Sequence, residues 1–184
     1  MQELLPQAYL IGLIVLLAAA AVVVGRQILR VRRDELALSR LGGNASRDGD
    51  RPGDASGLYE LASVQLRKRL YGQAADNLKL ALKRADAEQA PDEARALIEN
   101  ALGFALAAQN KYPAAVRHYR AALRAKADYP VALNNLAFAL EKQQKPEEAE
   151  ELYRQALALD AANRTASKRL KRLERRRGED NRAA

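Results

Sequence analysis

Few residues of this chain could carry out covalent or metal chemistry. The 184 residues include one histidine, His118, and no cysteine. Thiolate nucleophiles, thiolate metal ligands and disulfides are therefore excluded, and a single imidazole cannot build a multi-histidine metal site. His118 stands between Arg117 and Tyr119 in a helical pattern, which predicts an ordinary surface-facing residue. Gly42-Gly43 lacks the strand and helix spacing of a phosphate loop. The chain is thus predicted to be no enzyme and to need no cofactor or metal.

An acidic run, Glu147-Glu148 and Glu150-Glu151, is the other candidate for chemistry. Paired carboxylates can serve as an acid and a base, but the run stands where a helix is predicted to start. Carboxylates are favoured in the first turn of a helix because they interact with its dipole. A role at the start of a helix is therefore the preferred interpretation of this run.

Two pairs of side chains suited to binding recur at a spacing of 34 residues. Phe104 and Phe138 are the only phenylalanines in the chain, and Asn100 and Asn134 have the same separation. Aromatic rings anchor the apolar side chains of a bound peptide, and amides can form hydrogen bonds with its backbone. The pattern predicts a peptide-binding surface. The alternative is that the two rings only pack between neighbouring helices.

The same spacing extends over most of the chain. Residues 96–129 are followed directly by a similar segment, in which Ala156 takes the place of Ala122 and Tyr153 that of Tyr119. Thirty-four residues is the period of tetratricopeptide repeats (TPRs), each of which is a helix–turn–helix. A third copy of the pattern precedes these two segments and is separated from them by an insertion at residues 89–95. The predicted TPR domain, residues 55–163, contains repeats at 55–88, 96–129 and 130–163.

The composition agrees with an all-α fold. Alanine and leucine, both strong helix formers, supply most of the apolar residues, whereas valine and isoleucine cluster mainly in the first 31 residues. Small residues at equivalent repeat positions are expected to let the two helices of a repeat approach closely. Larger residues are expected to fill the space between repeats. The small positions hold Ala62, Gly103 and Ala137; Ala74, Ala115 and Ala149; Ala81, Ala122 and Ala156; the large position holds Leu78, Tyr119 and Tyr153.

In a TPR array the first helix of each repeat, helix A, lines a concave groove. Projection of the repeat onto this surface predicts a partner-binding set in all three repeats. Its members are Tyr59, Ser63 and Arg67; Leu97, Asn100 and Phe104; and Val131, Asn134, Phe138 and Lys142.

Residues 164–184 carry most of the net charge. They contain nine Lys or Arg and three acids, which supplies six of the eight net positive charges. Ala166, Leu170 and Leu173 form an apolar stripe at helical spacing, which predicts a capping helix with a polar outer face. The basic tail could also contact anionic lipid headgroups or an acidic partner. Its members are Lys168, Arg169, Lys171, Arg172, Arg175, Arg176 and Arg177.

The first 33 residues predict a transmembrane anchor with a basic end. No charged residue occurs in the 22 positions between Glu3 and Arg26, and a helix of that length spans roughly the ~30 Å of a bilayer core. Basic residues follow the apolar run, which predicts that the short N-terminus lies outside and the repeats in the cytoplasm. A cleaved signal peptide is the alternative, because Ala18-Ala19-Ala20 fits a cleavage pattern. The lack of a basic segment before the apolar run opposes it. Residues 34–54 predict a helix end and a flexible, glycine-rich linker.

Several of these segments resemble the photosystem I assembly TPR proteins of cyanobacteria and plastids. They are Leu5-Pro6, Arg26–Arg33, Leu38–Leu41, Asn100–Ala105, Ala132–Ala137 and the basic end. The resemblance covers nearly the whole chain. It implies a single-pass thylakoid protein with its repeats on the cytoplasmic (stromal) side. Such a protein would bind photosystem I subunits and assist the assembly or stability of that complex.

Other functions remain open at this point. One is a general envelope-biogenesis TPR scaffold at a bacterial plasma membrane. Nucleic-acid binding through the basic tail is not expected, because no aromatic residue stands near the tail for base stacking. A co-chaperone function is disfavoured. Co-chaperone TPRs that bind carboxylate termini use basic residues in the groove, and the corresponding positions here hold Tyr59, Ser63, Val131 and Asn135.

Overall fold

All regular structure in the described part of the chain is helical. The computed structural model describes residues 13–29, 32 and 53–183. Helix α1 lies within residues 13–29. It is followed by α2 (Ala55–Arg67), α3 (Tyr71–Ala87), α4 (Asp92–Ala108), α5 (Tyr112–Ala125), α6 (Pro130–Lys142), α7 (Pro146–Leu159) and α8 (Arg164–Ala183). Helices α2 to α7 form three hairpins that stack in chain order, and α8 packs on α7. The predicted all-α TPR solenoid is confirmed.

The membrane-spanning helix predicted in residues 1–33 falls only partly within the described residues. Large apolar side chains of α1, such as Leu13, Val15 and Leu16, are exposed. Among residues 13–29, 32 and 53–183, the structure contains no helix with both the length and the apolar character required to cross a bilayer. Residues 1–12, 30, 31 and 33 of the predicted anchor and residues 34–52 of the predicted linker lie outside the described residues.

The insertion before the second repeat lengthens two helices. Helix α3 has 17 residues where α5 has 14, and α4 has 17 where α6 has 13. The three extra residues of α3 and the four of α4 account for the predicted seven-residue insertion. Helix α4 begins directly after Pro91, as the Pro-Asp-Glu sequence predicts, and its acids Asp92 and Glu93 lie in the first turn.

The small residues expected between the paired helices form a closely packed core. The eight alanines at the predicted small positions have no exposed surface: Ala62, Ala74, Ala81, Ala115, Ala122, Ala137, Ala149 and Ala156. Leu78, Tyr119 and Tyr153 are also fully buried. The two tyrosines contact helix A of their own repeat, where Tyr119 lies against Gly103 and Tyr153 bonds to Glu141. They therefore join the two helices of one repeat, whereas the sequence predicted that they fill the space between repeats.

Each turn between the two helices of a repeat contains a residue in the left-handed region. The φ angles of Arg69, Asn110 and Gln144 are 61°, 60° and 60°. In repeat three, the Gln144 N–H donates to the Glu141 carbonyl at 3.1 Å, and the next N–H, that of Lys145, donates to the Leu140 carbonyl at 3.0 Å. This Schellman arrangement satisfies the last carbonyls of helix A, and its left-handed position is usually a glycine.

Replacement of Gln144 by glycine is therefore expected to stabilise the protein by about 0.5–1 kcal/mol. A side chain in the left-handed region costs about 1–2 kcal/mol, and the flexibility of glycine in the unfolded chain offsets part of that gain. Urea denaturation followed by circular dichroism measures the effect. Gln144→Ala is the matched control, because it shortens the side chain but keeps the strain. Equal stability of the two variants would contradict the prediction.

Candidate partner-binding groove

Helices α2, α4 and α6 line an open groove of about 390 Å³. Five members of the predicted binding set line it: Tyr59, Ser63, Asn100, Phe104 and Val131. Leu66, Ala101 and Asn135 complete the lining. No lining residue carries a charge. The surface combines apolar and aromatic side chains with hydroxyl and amide groups, a composition suited to an uncharged peptide segment.

The other five predicted residues lie outside this lining. Leu97 is exposed, and Arg67 donates to the Ser63 carbonyl at 3.4 Å. The Oδ1 atom of Asn134 is buried and has no hydrogen-bond partner among the described residues. Lys142 lies beside Phe138, with its Nζ atom 5.6 Å from the ring centre.

The two phenylalanines occupy equivalent repeat positions but different surroundings. Each packs edge-to-face on the first tyrosine of the preceding hairpin's second helix, Phe104 on Tyr71 at 6.4 Å and Phe138 on Tyr112 at 6.5 Å. Phe104 nevertheless remains 44% exposed and lines the groove. Phe138 is partly buried, and the guanidinium of Arg169 lies 4.4 Å from its ring centre. Packing between repeats thus involves both rings, whereas only Phe104 is open to a partner.

The side-chain amide of Asn100 forms its hydrogen bonds within the fold. It is buried, its Nδ2 donates to the Tyr129 hydroxyl at 3.3 Å, and its Oδ1 accepts from Asn135 Nδ2 at 3.0 Å. Burial raises the pKa of Tyr129, so this phenol stays neutral and able to donate or accept near neutral pH. The network fixes the side chain of Asn135 at the groove, which makes Asn135 the more accessible amide for a ligand backbone.

Two acidic side chains of repeat three hold α8 in place. Glu141 accepts hydrogen bonds from the Tyr153 hydroxyl at 2.6 Å, from Arg169 at 3.2 Å and from Arg172. Glu150, which is only 3% exposed, accepts from Arg154 at 3.0 Å and from Arg177 at 2.8 Å. A buried carboxylate needs such partners, because an unpaired charge in the protein interior is costly.

These pairs change the interpretation of two sequence features. In the basic tail, Arg169, Arg172 and Arg177 dock the capping helix and are not free for a partner. In the acidic run, Glu147 and Glu148 do lie in the first turn of α7, as the dipole interpretation predicts. Glu150 does not follow that interpretation, because it is buried and paired.

His118 also differs from its prediction. Its Nδ1 lies 2.7 Å from Oε2 of Glu99 on α4, and both side chains are partly buried, so it is an inter-helix contact and not a surface-facing residue. Gln65 likewise is buried and accepts from Asn77 Nδ2 at 2.9 Å. Gln65 and Glu99 stand at positions that are usually hydrophobic in tetratricopeptide repeats. Each is hydrogen-bonded to a side chain of the second helix of its own hairpin. The described residues contain no group of three or more His, Cys, Asp or Glu arranged to hold a metal ion.

Comparison with known proteins agrees with this architecture. The tetratricopeptide repeat family model matches residues 130–163, and a second TPR model matches residues 103–144. Among solved structures, the first TPR domain of Spaghetti (RPAP3) bound to an HSP90 peptide superposes with a TM-score of 0.62 at 20% identity, over 68% of this chain and 94% of that one. The APC/C hetero-tetramer Cut9–Hcn1 superposes with a TM-score of 0.72 at 22% identity, over 81% of this chain and 28% of that one. These likenesses concern the fold.

Proteins related in sequence identify the family, which the likenesses in fold do not. The chain is 31% identical to the protein ycf37 of Guillardia theta over 92% of this chain and 93% of that protein. It is 30% identical to the chloroplastic TPR protein PYG7 of Arabidopsis thaliana over 88% of this chain, which spans about half (52%) of PYG7. Both relatives fit the resemblance predicted from the N-terminal and repeat segments. The chain therefore belongs to the ycf37 and PYG7 family of tetratricopeptide-repeat proteins from cyanobacterial and plastid lineages.

Proposed function

We propose that this TPR protein-interaction adaptor is a non-enzymatic, membrane-anchored assembly factor. It binds protein subunits and assists the assembly or stability of photosystem I. The observation that carries the binding role is the uncharged groove of α2, α4 and α6, in which Phe104 is exposed. Exposed aromatic rings in a groove are typical anchor points for a bound peptide.

The chemistry of the groove limits the partner. A peptide that ends in a carboxylate, or a strongly acidic segment, would find no cation among the eight lining residues. An extended segment with apolar side chains would fill the space beside Phe104 and Val131, and its backbone could bond to Asn135. The partner is therefore an internal, mainly apolar segment of a protein subunit.

The thylakoid membrane is the proposed location, with the repeats on the stromal side. The exposed apolar side chains of α1, with Arg26 near its C-terminal end, support an anchor of this orientation. The resemblance to photosystem I assembly proteins and the chloroplastic relative PYG7 support the thylakoid. An anchor would raise the effective concentration of a weakly binding groove near newly inserted subunits. A scaffold in the bacterial plasma membrane is the alternative.

Phe104→Ala is expected to weaken subunit binding about tenfold or more, since it removes the exposed anchor of the groove. The measurement is capture of partners by the tagged full-length protein from its native membranes in mild detergent, followed by mass spectrometry. Wild type is expected to enrich photosystem I subunits or their assembly intermediates. Phe138→Ala is the matched control, because the same ring is removed from a covered position. Circular dichroism checks that both variants stay helical.

Other outcomes separate the parts of the proposal. Capture of envelope-biogenesis proteins without photosystem I components would leave the TPR adaptor standing and exclude the photosystem role. Equal capture by wild type and Phe104→Ala, with the same partners, would show that the groove is not the binding surface.

A further inference from the structure

The outer face of α8 carries a continuous basic stripe. Arg164, Lys168, Lys171 and Arg175 follow one another at intervals of four, three and four residues, which places them on one side of a helix over about 16 Å. All four are exposed, whereas Ala166 and Leu173 on the opposite side are buried. We call these four residues the basic stripe.

The four cations are not needed to hold the helix in place. Docking of α8 uses Arg169, Arg172 and Arg177, which pair with Glu141 and Glu150. Within residues 13–29, 32 and 53–183, none of the stripe residues forms an ion pair or hydrogen bond through its side chain. No acidic residue interrupts the stripe, which is followed by Gly178 and Glu179.

The repeat register explains why this face has no partner within the solenoid. Lys171 stands one period after Ala137, and Ala62 and Gly103 hold the same position in the earlier repeats. These three positions are small because the second helix of the hairpin packs on them. A lysine there is too large for such packing, so the stripe stays uncovered among the described residues.

We infer that the basic stripe binds the anionic lipid surface of the membrane that holds the anchor. The face contains no aromatic or apolar anchor, which a specific protein interface needs for most of its affinity. Its attraction is therefore electrostatic and grows with the number of anionic groups met at once, as on a charged lipid surface. The inference rests on the proposed membrane anchor, which would bring α8 close to the headgroups.

The stripe can be tested in the full-length protein because the chain has no cysteine. Gly178→Cys introduces one labelling site at an exposed position where an added Cβ meets no atom within 4 Å. The labelled protein is reconstituted into vesicles of neutral phosphatidylcholine, or of phosphatidylcholine with an anionic lipid, each carrying an acceptor dye in the headgroup region. Energy transfer then reports the approach of α8 to the surface.

We expect about twofold higher transfer on anionic than on neutral vesicles at low salt, and loss of the difference at high salt. Replacing Lys168, Lys171 and Arg175 with glutamine is expected to remove the difference. The matched control replaces Lys83, Arg117 and Arg124, three exposed cations of α3 and α5, and lowers the net charge equally. This control is expected to keep the difference. Equal transfer on both vesicle types would overturn the inference.

Flotation of the same samples separates this inference from the proposed anchor. Failure of the wild type to float with neutral vesicles would contradict the proposed anchor but not the lipid inference. If it still floated with anionic vesicles through the stripe, the lipid inference would stand. If the stripe variant instead kept its energy transfer but lost a captured protein partner, the stripe would be a docking site for an acidic protein and the lipid inference would be wrong.

Discussion

Replacement of Gly103 by alanine is expected to lower the free energy of unfolding by about 2 kcal/mol. An added Cβ would lie 2.6 Å and 2.7 Å from the Cε1 and Cδ1 ring atoms of Tyr119, well inside contact distance. Tyr119 is only 1% exposed, so its ring is enclosed by the core and cannot move into solvent. Overpacking of a core costs typically 1–3 kcal/mol, and this close contact belongs at the upper end. The loss exceeds the ~1 kcal/mol that alanine gains over glycine in a helix.

Repeat one provides the compensating change. The residues equivalent to Gly103 and Tyr119 are Ala62 and Leu78, both fully buried. Tyr119→Leu alone is expected to destabilise the protein through a cavity, and the double variant to be more stable than the sum of the single effects predicts. Urea denaturation of the wild type, the two single variants and the double variant measures the coupling free energy between the two positions. Additive effects would show that the contact between Gly103 and Tyr119 does not limit stability.

Alkaline pH is expected to destabilise the fold steeply through two tyrosines. Burial raises the pKa of Tyr119 above its usual value of 10.0, and burial together with the hydrogen bond to Glu141 raises that of Tyr153. Both phenols stay neutral in the folded protein, whereas in the unfolded chain they lose their protons above about pH 10. The unfolded state then binds fewer protons, so the free energy of unfolding falls with rising pH, by about 2.7 kcal/mol per pH unit for the two groups.

The contribution of each phenol can be separated by removing its hydroxyl. Tyr119→Phe and Tyr153→Phe are each expected to reduce the slope of the free energy of unfolding against pH by about 1.4 kcal/mol per pH unit between about pH 10.5 and 11.5, because each removes one released proton. Tyr119→Phe should cost little at neutral pH, whereas Tyr153→Phe also loses the 2.6 Å bond to Glu141. Denaturant titrations at several pH values measure both effects. An unchanged slope in both variants would contradict the assignment.

Most of the architecture was determined by the sequence itself. The 34-residue period places small residues such as Ala62 and Ala137 between the paired helices, and these positions are fully buried. Local rules are sufficient there, since each repeat packs on its neighbours in the same way. The apolar stripe of Ala166 and Leu173 predicted the capping helix for the same reason.

Only the tertiary structure decided which predicted site residues are available. Phe104 and Phe138 are equivalent in sequence, but Phe138 lies beside α8 and is covered by Arg169. Repeat symmetry ends at the last hairpin, so equal sequence positions there no longer have equal neighbours. Asn100 was predicted to bind a ligand, and its bonds to Tyr129 and Asn135 depend on how α4 and α6 meet.

The pairing of the cations on the capping helix α8 was also decided by the tertiary structure. The sequence determined how many cations the last helix carries, and its period showed which of them share a face. It did not show that Arg169, Arg172 and Arg177 would pair with Glu141 and Glu150 while the basic stripe stays uncovered. Long side chains reach partners 27 to 31 residues away in sequence, and that choice depends on helix packing. Helix periodicity is a local property of the chain, whereas ion pairing is decided by its three-dimensional arrangement.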